Sequence, residues 1–281
     1  MEYNMRPGLS ADERLHHAER SLHNAERRHR AQMTPPLELS IVIPAFNEEQ
    51  RLPKTLKSIQ AYVNSRRLRA EVLVVDDGST DSTVRVVELA RKEFPELHLI
   101  TNERNRGKGF SVRHGLLEAR GEIALFTDAD LSAPIEEADK LIAMLRDGSY
   151  EGAIGSRAVD RSLIEVRQSP FREQAGILFN RIVRRITGLP FQDTQCGFKA
   201  FRREPSRVIF EQQRTTGFGF DPEILFIAQR KGLRVVEIPV RWAHHPATKV
   251  HVFRDSLRML LDLLAIRWNA LVGRYSVRER Q

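Results

Sequence analysis

Leu39-Ser40-Ile41-Val42-Ile43-Pro44-Ala45-Phe46-Asn47-Glu48-Glu49 is an apolar run rich in β-branched residues that gives way to an amide and two carboxylates. The run reads as a buried strand, and the polar residues after it as the rim where that strand ends. Pro44 lacks the N–H that a central ladder uses, so the chain is expected to turn there. Similar runs recur at Glu71–Val75, Leu97–Thr101 and Glu122–Thr127, separated by helical stretches at about 52–65, 82–93, 109–119 and 134–145. Strands alternating with helices of this length predict an α/β fold, a mainly parallel sheet flanked by helices. In such sheets ligands bind at the carboxyl ends of the strands.

Beyond residue 150 the alternation loosens. Gly152–Ser156 reads as a strand, 157–169 as a loop and 171–187 as a helix. Gln195–Phe201 and Arg234–Ile238 read as further strands, with a helix at about 221–231 between them. No Gly/Ser/Pro-rich linker interrupts 39–272, so one catalytic domain is expected over 37–253. Before it lies a polar, Arg-, Glu- and His-rich extension, 1–36, expected to be disordered or a solvated helix. Its His16, His17, His23 and His29 read as solvated groups. After it, 254–281 is expected to form an amphipathic helix and tail. Leu257, Leu260, Leu261, Leu264, Trp268 and Leu271 recur there at helical spacing, with Arg254, Arg258 and Arg267 nearby. This stripe meets either an anionic membrane surface or the domain itself, and one face cannot fully do both.

The strand ends carry the chemistry. The second run closes on Asp76-Asp77-Gly78-Ser79-Thr80-Asp81, and carboxylates there can accept from a base imino group or a ribose diol. The fourth closes on Phe126-Thr127-Asp128-Ala129-Asp130, where strand alternation puts Asp128 and Asp130 on one side. Two converging carboxylates need a cation, and an all-oxygen ligand set selects Mg²⁺ or Mn²⁺, ions that such sites share with substrate phosphates. Between these runs lies Arg104-Asn105-Arg106-Gly107-Lys108-Gly109. Its glycines allow close backbone approach, Lys108 supplies charge, and the helix that follows offers N–H groups to an anion. The loop is neither a Rossmann fingerprint, because position 112 is Val112, nor a P-loop, because Gly109 rather than Ser or Thr follows Lys108.

The bulk numbers set limits on this reading. The 281 residues carry a net charge of +8, concentrated in 241–281, where seven Arg and one Lys face three acidic groups. A basic end of this kind suits a polyanionic partner such as a phosphorylated substrate or an anionic lipid. Nucleic acid is not expected: aromatic residues make up 7%, and no motif interleaves them with basic ones. The lone Cys196 excludes a disulfide framework and a Cys-based zinc site. With neither a signal peptide nor an apolar run of membrane-spanning length, a cytoplasmic protein is expected, peripheral to the inner face of a membrane.

Taken in order, these motifs resemble the nucleotide-sugar glycosyltransferases of family 2, which open with a (V/I)(V/I)PxxNE segment and then carry VVDDGSxD, NxGKG and D-x-D. The match runs from residue 39 to about 255. Gly155-Ser156-Arg157, Phe171-Arg172, Asp193-Thr194-Gln195-Cys196-Gly197-Phe198-Lys199 and Phe220-Asp221-Pro222-Glu223-Ile224-Leu225 narrow it to the dolichyl-phosphate β-glucosyltransferase branch. The resemblance implies a GT-A nucleotide-sugar-binding fold and an inverting, metal-dependent transfer. The donor would be a nucleotide sugar, UDP-glucose, and the acceptor a polyprenyl phosphate lipid of the dolichyl or undecaprenyl type. Other donors (GDP-mannose, a UDP-N-acetylhexosamine) or a saccharide hydroxyl acceptor are the alternative.

By position, Pro44, Ala45, Asn47, Glu48, Asp76, Asp77 and Lys108 would bind the donor, with Asp128 and Asp130 holding the metal. Where the related mannosyltransferases supply a further ligand, Gln, this chain has Ser132. Arg157, Arg172 and Lys249 would bind the acceptor phosphate. Asp130 and Arg157 are candidates for the chemistry itself. Asp221 joins them, and Asp221 and Glu223 are the candidate bases if the acceptor is a hydroxyl; their other reading is a polar helix start.

Overall fold

The structure, a computed structural model, describes residues 36–244 and 252–276, with backbone alone over 252–256. The extension read over 1–36, apart from Pro36, and Lys249, His245 and His251 lie outside the described residues.

The strand runs are continuous in apolar character because both faces of the sheet are covered. In β1 (Leu39–Ala45), Ile41 and Ile43 face one core and Val42 the other. In β2 (Ala70–Asp76), Val72 and Val74 oppose Leu73 and Val75 in the same way. The first core is closed by α1 (Leu52–Arg66) and α4 (Ala138–Arg146), through Leu56, Ile59, Leu141 and Leu145. α2 (Thr83–Ala90) adds Val87 to it. On the other face lie α3 (Lys108–Glu118), α6 (Arg203–Gln212), α7 (Phe220–Arg230) and α8 (Val252–Leu271).

Seven strands form the main sheet in the order β3-β2-β1-β4-β7-β5-β8. The remaining members are β3 (Leu97–Thr101), β4 (Ile123–Thr127), β5 (Gly152–Ser156), β7 (Phe198–Arg202) and β8 (Val235–Pro239). All run parallel except β7, which is antiparallel to β4 on one side and to β5 on the other. A reversed strand starts where its neighbours end, so the residues before β7 reach the rim that carries the ends of β1, β2, β4 and β5. In a small parallel pair, β6 (Ile164–Val166) with β9 (Trp242–Ala243), β6 lies within what reads from sequence as the loop 157–169. α5 (Pro170–Thr187) follows, opened by Pro170 at its start and closed by Gly188 at φ +76°.

Three expectations change. The chain does not turn at Pro44, which sits in β1 opposite Val75. Pairing of β1 with β4 stops at Val42, while pairing with β2 continues to Ala45, so the proline falls where the β4 ladder has ended. The turn comes at Asn47, in the left-handed region at φ +55°. α6 went unread because its first residues, Arg203 and Glu204, are charged. Finally, of the two readings left open for the apolar stripe of α8, packing against the domain holds for Leu260 alone. Leu263 and Ile266 are fully buried, with Leu260 half-buried beside them, while Leu257, Leu261, Leu264, Trp268 and Leu271 are exposed. The helix is apolar on two faces.

Candidate active site

The loops after β1 and β2 are laced together. Asn47 donates its backbone N–H to Ser79 Oγ (2.9 Å) and accepts the Thr80 N–H at Oδ1 (2.8 Å), and Glu48 N–H donates to Thr83 Oγ1 (2.7 Å). Asp76 and Asp77, adjacent and both buried, differ in what they hold. Asp77 accepts from Asn102 Nδ2 (2.8 Å), the Arg106 N–H (3.0 Å) and the Gly107 N–H (2.8 Å). Both its oxygens are therefore committed to shaping the 104–107 loop. Asp76 caps the turn through Oδ2, accepting from Gly78 and Ser79 N–H (3.1 Å each), and its Oδ1 is buried without a partner. A buried orphan acceptor carries a desolvation cost that a ligand donor would remove. Of the two carboxylates, Asp76 is the one the geometry offers to a ligand.

Gly107 fixes the next loop. It lies at φ +98°, and an added Cβ would stand 2.5 Å from the Thr216 carbonyl oxygen. From there α3 begins with Lys108, whose Nζ lies 2.5 Å from Asp128 Oδ1. β4 ends at Thr127, so strand alternation does not place Asp128 and Asp130; a turn does, with the Leu131 N–H donating to the Asp128 carbonyl (3.1 Å) and Leu131 at φ +46°. Both carboxylates nevertheless line one cleft, with Lys108, Ser132, Arg157, Arg172 and Asp221. Asp130 Oδ1 accepts from the Ser132 N–H (3.0 Å), and its Oδ2 lies 3.8 Å from Arg51 Nη1. Asp128 rests against Gly197, where a Cβ would come within 2.5 Å of the Asp128 carboxyl carbon. Among the described residues no group of three or more His, Cys, Asp and Glu side chains could hold a metal. The two aspartates suit a hard cation that draws its other ligands from a substrate.

In the same cleft, Arg157 is held by Asp193 in a bidentate pair (2.6 and 2.8 Å) and lies over the Trp242 ring at 5.4 Å. Burial pushes the Asp193 carboxyl up, but the charge and hydrogen bonds of Arg157 outweigh that and hold it at about 2. Arg172, in the first turn of α5, has no ion-pair partner among the described residues. It lines both this cleft and an adjoining cavity with Arg161, Arg167, Ile164 and Ile177.

Beneath the cleft the fully buried Lys199 pairs with Asp221 and donates to the Cys196 carbonyl (2.6 Å). Burial raises the Asp221 carboxyl, and the lysine ammonium groups only partly offset it. Burial also pushes the Cys196 thiol up to about 12, which makes it inert near neutral pH. Glu223 is spent on packing: it accepts from the Arg214 and Thr215 N–H groups and from Tyr275 Oη (2.6 Å), tying the end of the chain to α7. Sequence reasoning quoted Asp193 and Lys199 within a motif but gave them no partners, and it missed Arg51 and Trp242. No local signal shows that Arg157 meets Asp193, because the pairing depends on how β7 enters the sheet.

Comparison with known proteins gives the family and the fold. A family model, Glycosyl transferase family 2, matches residues 40–210. Among curated proteins, the dolichyl-phosphate beta-glucosyltransferase of Drosophila melanogaster is 37% identical over 257 residues, covering 87% of this chain and 78% of the relative. The protein of that name from Homo sapiens is 34% identical over 258 residues, covering 88% and 80%. Among solved structures, glucosyl-3-phosphoglycerate synthase from Mycobacterium tuberculosis, in complex with Mn²⁺, UDP and glucosyl-3-phosphoglycerate, superposes with a TM-score of 0.60 at 22% identity. That match covers 94% of this chain and 86% of the other, and it bears on the fold alone. The chain belongs to glycosyl transferase family 2, as a glycosyltransferase built on the GT-A fold.

Proposed function

We propose that the protein moves glucose from UDP-glucose, with inversion, onto the phosphate of a polyprenyl lipid at a membrane surface. The observation that carries this reading is one cleft lined both by the paired carboxylates Asp128 and Asp130 and by the guanidinium groups Arg157 and Arg172. The relatives named as dolichyl-phosphate beta-glucosyltransferases support the sugar and the acceptor class. The UDP and Mn²⁺ in the glucosyl-3-phosphoglycerate synthase complex support the donor and the metal.

Asp76 Oδ1 would accept from the base, with Asn47 and Glu48 in the neighbouring loop after β1. Asp128 and Asp130 would hold Mg²⁺ or Mn²⁺, which neutralises the departing diphosphate. Arg157, its planar fork fixed by Asp193 and Trp242, and Arg172 orient the acceptor phosphate. The acceptor oxygen forms the bond to the anomeric carbon as the bond to the nucleoside diphosphate breaks. A phosphate monoester is ionised near neutral pH, with a second pKa of about 6, so no proton need be removed. Asp221, engaged by Lys199, then acts as a buried counter-charge rather than a base.

The test is a donor screen with a short polyprenyl phosphate, Mn²⁺ or Mg²⁺, and labelled UDP-glucose, GDP-mannose and UDP-N-acetylglucosamine. Label should pass to the lipid from UDP-glucose. Transfer to a free saccharide hydroxyl, or preference for another donor, would overturn the assignment. Arg172→Ala is the cleaner probe of the acceptor side, because Arg157→Ala also strands Asp193. Losing a charge-assisted contact of about 1.5–3 kcal/mol should lower kcat/KM for the lipid roughly ten- to hundredfold, with little change for the donor. An equal loss for both substrates would place Arg172 in the wrong pocket.

Membrane contact falls to α5 and α8, which pack side by side and both contribute walls to the cleft, through Ala175, Phe179 and Met259. α8 turns Leu257, Leu261, Leu264, Trp268 and Leu271 outward, and α5 adds Phe171 and Leu178. Arg258, Arg267 and Arg181 are exposed on the same helices, and the described residues contain no helix long and apolar enough to cross a membrane. Each basic group near an anionic surface contributes about 1 kcal/mol, and the apolar side chains add burial in the interface. Trp268→Ser with Leu271→Ser should leave the circular dichroism spectrum unchanged and remove most flotation with anionic liposomes. Undiminished flotation would move the contact elsewhere.

A further inference from the structure

The Asp128 and Asp130 carboxylates each face a cation that belongs to the protein. Lys108 Nζ is 2.5 Å from Asp128 Oδ1, and Arg51 Nη1 is 3.8 Å from Asp130 Oδ2. The two cations are not equivalent. Arg51 is clamped by Glu48 through Nε and Nη2 (2.6 and 2.7 Å), so its guanidinium stays where it is. Lys108 sits at the first position of α3, and its ammonium rides on a flexible four-carbon stem that can be re-aimed. It also lies in the field of three carboxylates, Asp128, Asp221 and Asp130, all within the cleft.

Two carboxylates already neutralised in this way, with the third cleft carboxylate, Asp221, taken by Lys199 and no metal-holding group of three or more His, Cys, Asp and Glu among the described residues, make a poor site for a divalent ion on its own. A diphosphate changes both terms at once. It brings oxygens for the metal and a second anionic home for the Lys108 ammonium.

We infer that Lys108 is an exchangeable placeholder on Asp128: the donor diphosphate draws it away and thereby opens the aspartate to the metal. Lys108 is in this sense a positioning residue. Nucleotide and metal then bind with positive coupling, each raising the affinity for the other by the same factor. This inference rests on the proposed metal role of Asp128, and the test separates the two.

The experiment measures Mn²⁺ binding to the purified full chain by electron paramagnetic resonance, with no nucleotide present, so that chelation by UDP does not contribute. Removing a positive charge a few ångströms from the metal should tighten Mn²⁺ binding by roughly tenfold in Lys108→Met, and Lys108→Gln should match it. Lys108→Arg should stay near wild type. UDP binding without metal should weaken in Lys108→Met, because the diphosphate loses its lysine. Unchanged or weaker Mn²⁺ binding by a folded Lys108→Met protein would overturn the placeholder role while leaving the metal site standing. If Asp128→Asn binds Mn²⁺ as well as wild type, the metal reading itself falls, and the placeholder with it.

Discussion

Asp128→Asn should lower kcat/KM for sugar transfer by about a thousandfold or more, because it removes a carboxylate proposed to hold the cation that would neutralise the departing diphosphate. Asp130→Asn should do the same. Neither change should shift the thermal unfolding midpoint by more than a few degrees, since both side chains line the cleft rather than a core. Gly197→Ala reaches the same carboxylate from outside. Its methyl would occupy the space where the Asp128 carboxyl now lies, so activity should collapse although no charged group has changed. Chelation with EDTA should silence the wild type, and Mn²⁺ or Mg²⁺ should restore it. Full activity after exhaustive chelation would end the metal assignment.

The largest effect on stability should come from Lys199→Met. Lys199 is fully buried on β7 and shares its charge with Asp221, whose side chain is also buried. Removing one member of such a pair costs about 3–5 kcal/mol, because the other charge is left without compensation. The loss should depend on pH in a defined direction. Burial already raises Asp221, and without the lysine nothing on β7 opposes that rise. A carboxyl whose folded pKa lies above its unfolded value, near 3.9, destabilises increasingly as pH rises above that value. The deficit should be small at about pH 4 and grow toward neutrality. Replacing both partners, Lys199→Met with Asp221→Leu, should recover most of the stability. Urea unfolding of the three variants across pH measures this. A pH-independent deficit below 1 kcal/mol would show that the pair contributes little.

Much of this molecule is legible along the chain, for a physical reason. β1, β2 and β4 are buried on both faces, so they appear as unbroken apolar runs, and the polar residues that end them fall at the rim where ligands bind. That is enough to find Asn47, Asp76, Asp128 and Asp130. What the chain does not display is direction and partnership. Asp76 and Asp77 are adjacent and of one type, yet Asp77 closes the 104–107 loop while Asp76 keeps a free acceptor, a difference set by amides some 30 positions away. The partners Arg157 and Asp193 are likewise 36 positions apart. α8 misleads because Leu263 and Ile266 interleave with the exposed leucines, and periodicity cannot say which of two apolar faces meets the domain.

The reversed strand also bears on how the chain assembles. β1 to β4 lie within residues 39–127, and β1–β2 and β2–β3 pair consecutive strands, so the half that carries Asp76 and leads into Asp128 and Asp130 can form without the second half of the chain. β7 arrives more than seventy residues after β4 and inserts between β4 and β5. Until it does, both of those strands have an open edge, and open edges of this kind invite pairing with another chain. The same insertion brings Gly197 against Asp128, Lys199 under Asp221 and Asp193 onto Arg157. Closing the open edges and completing the cleft are therefore one event, and a chain that has not yet sealed its sheet has no finished cleft.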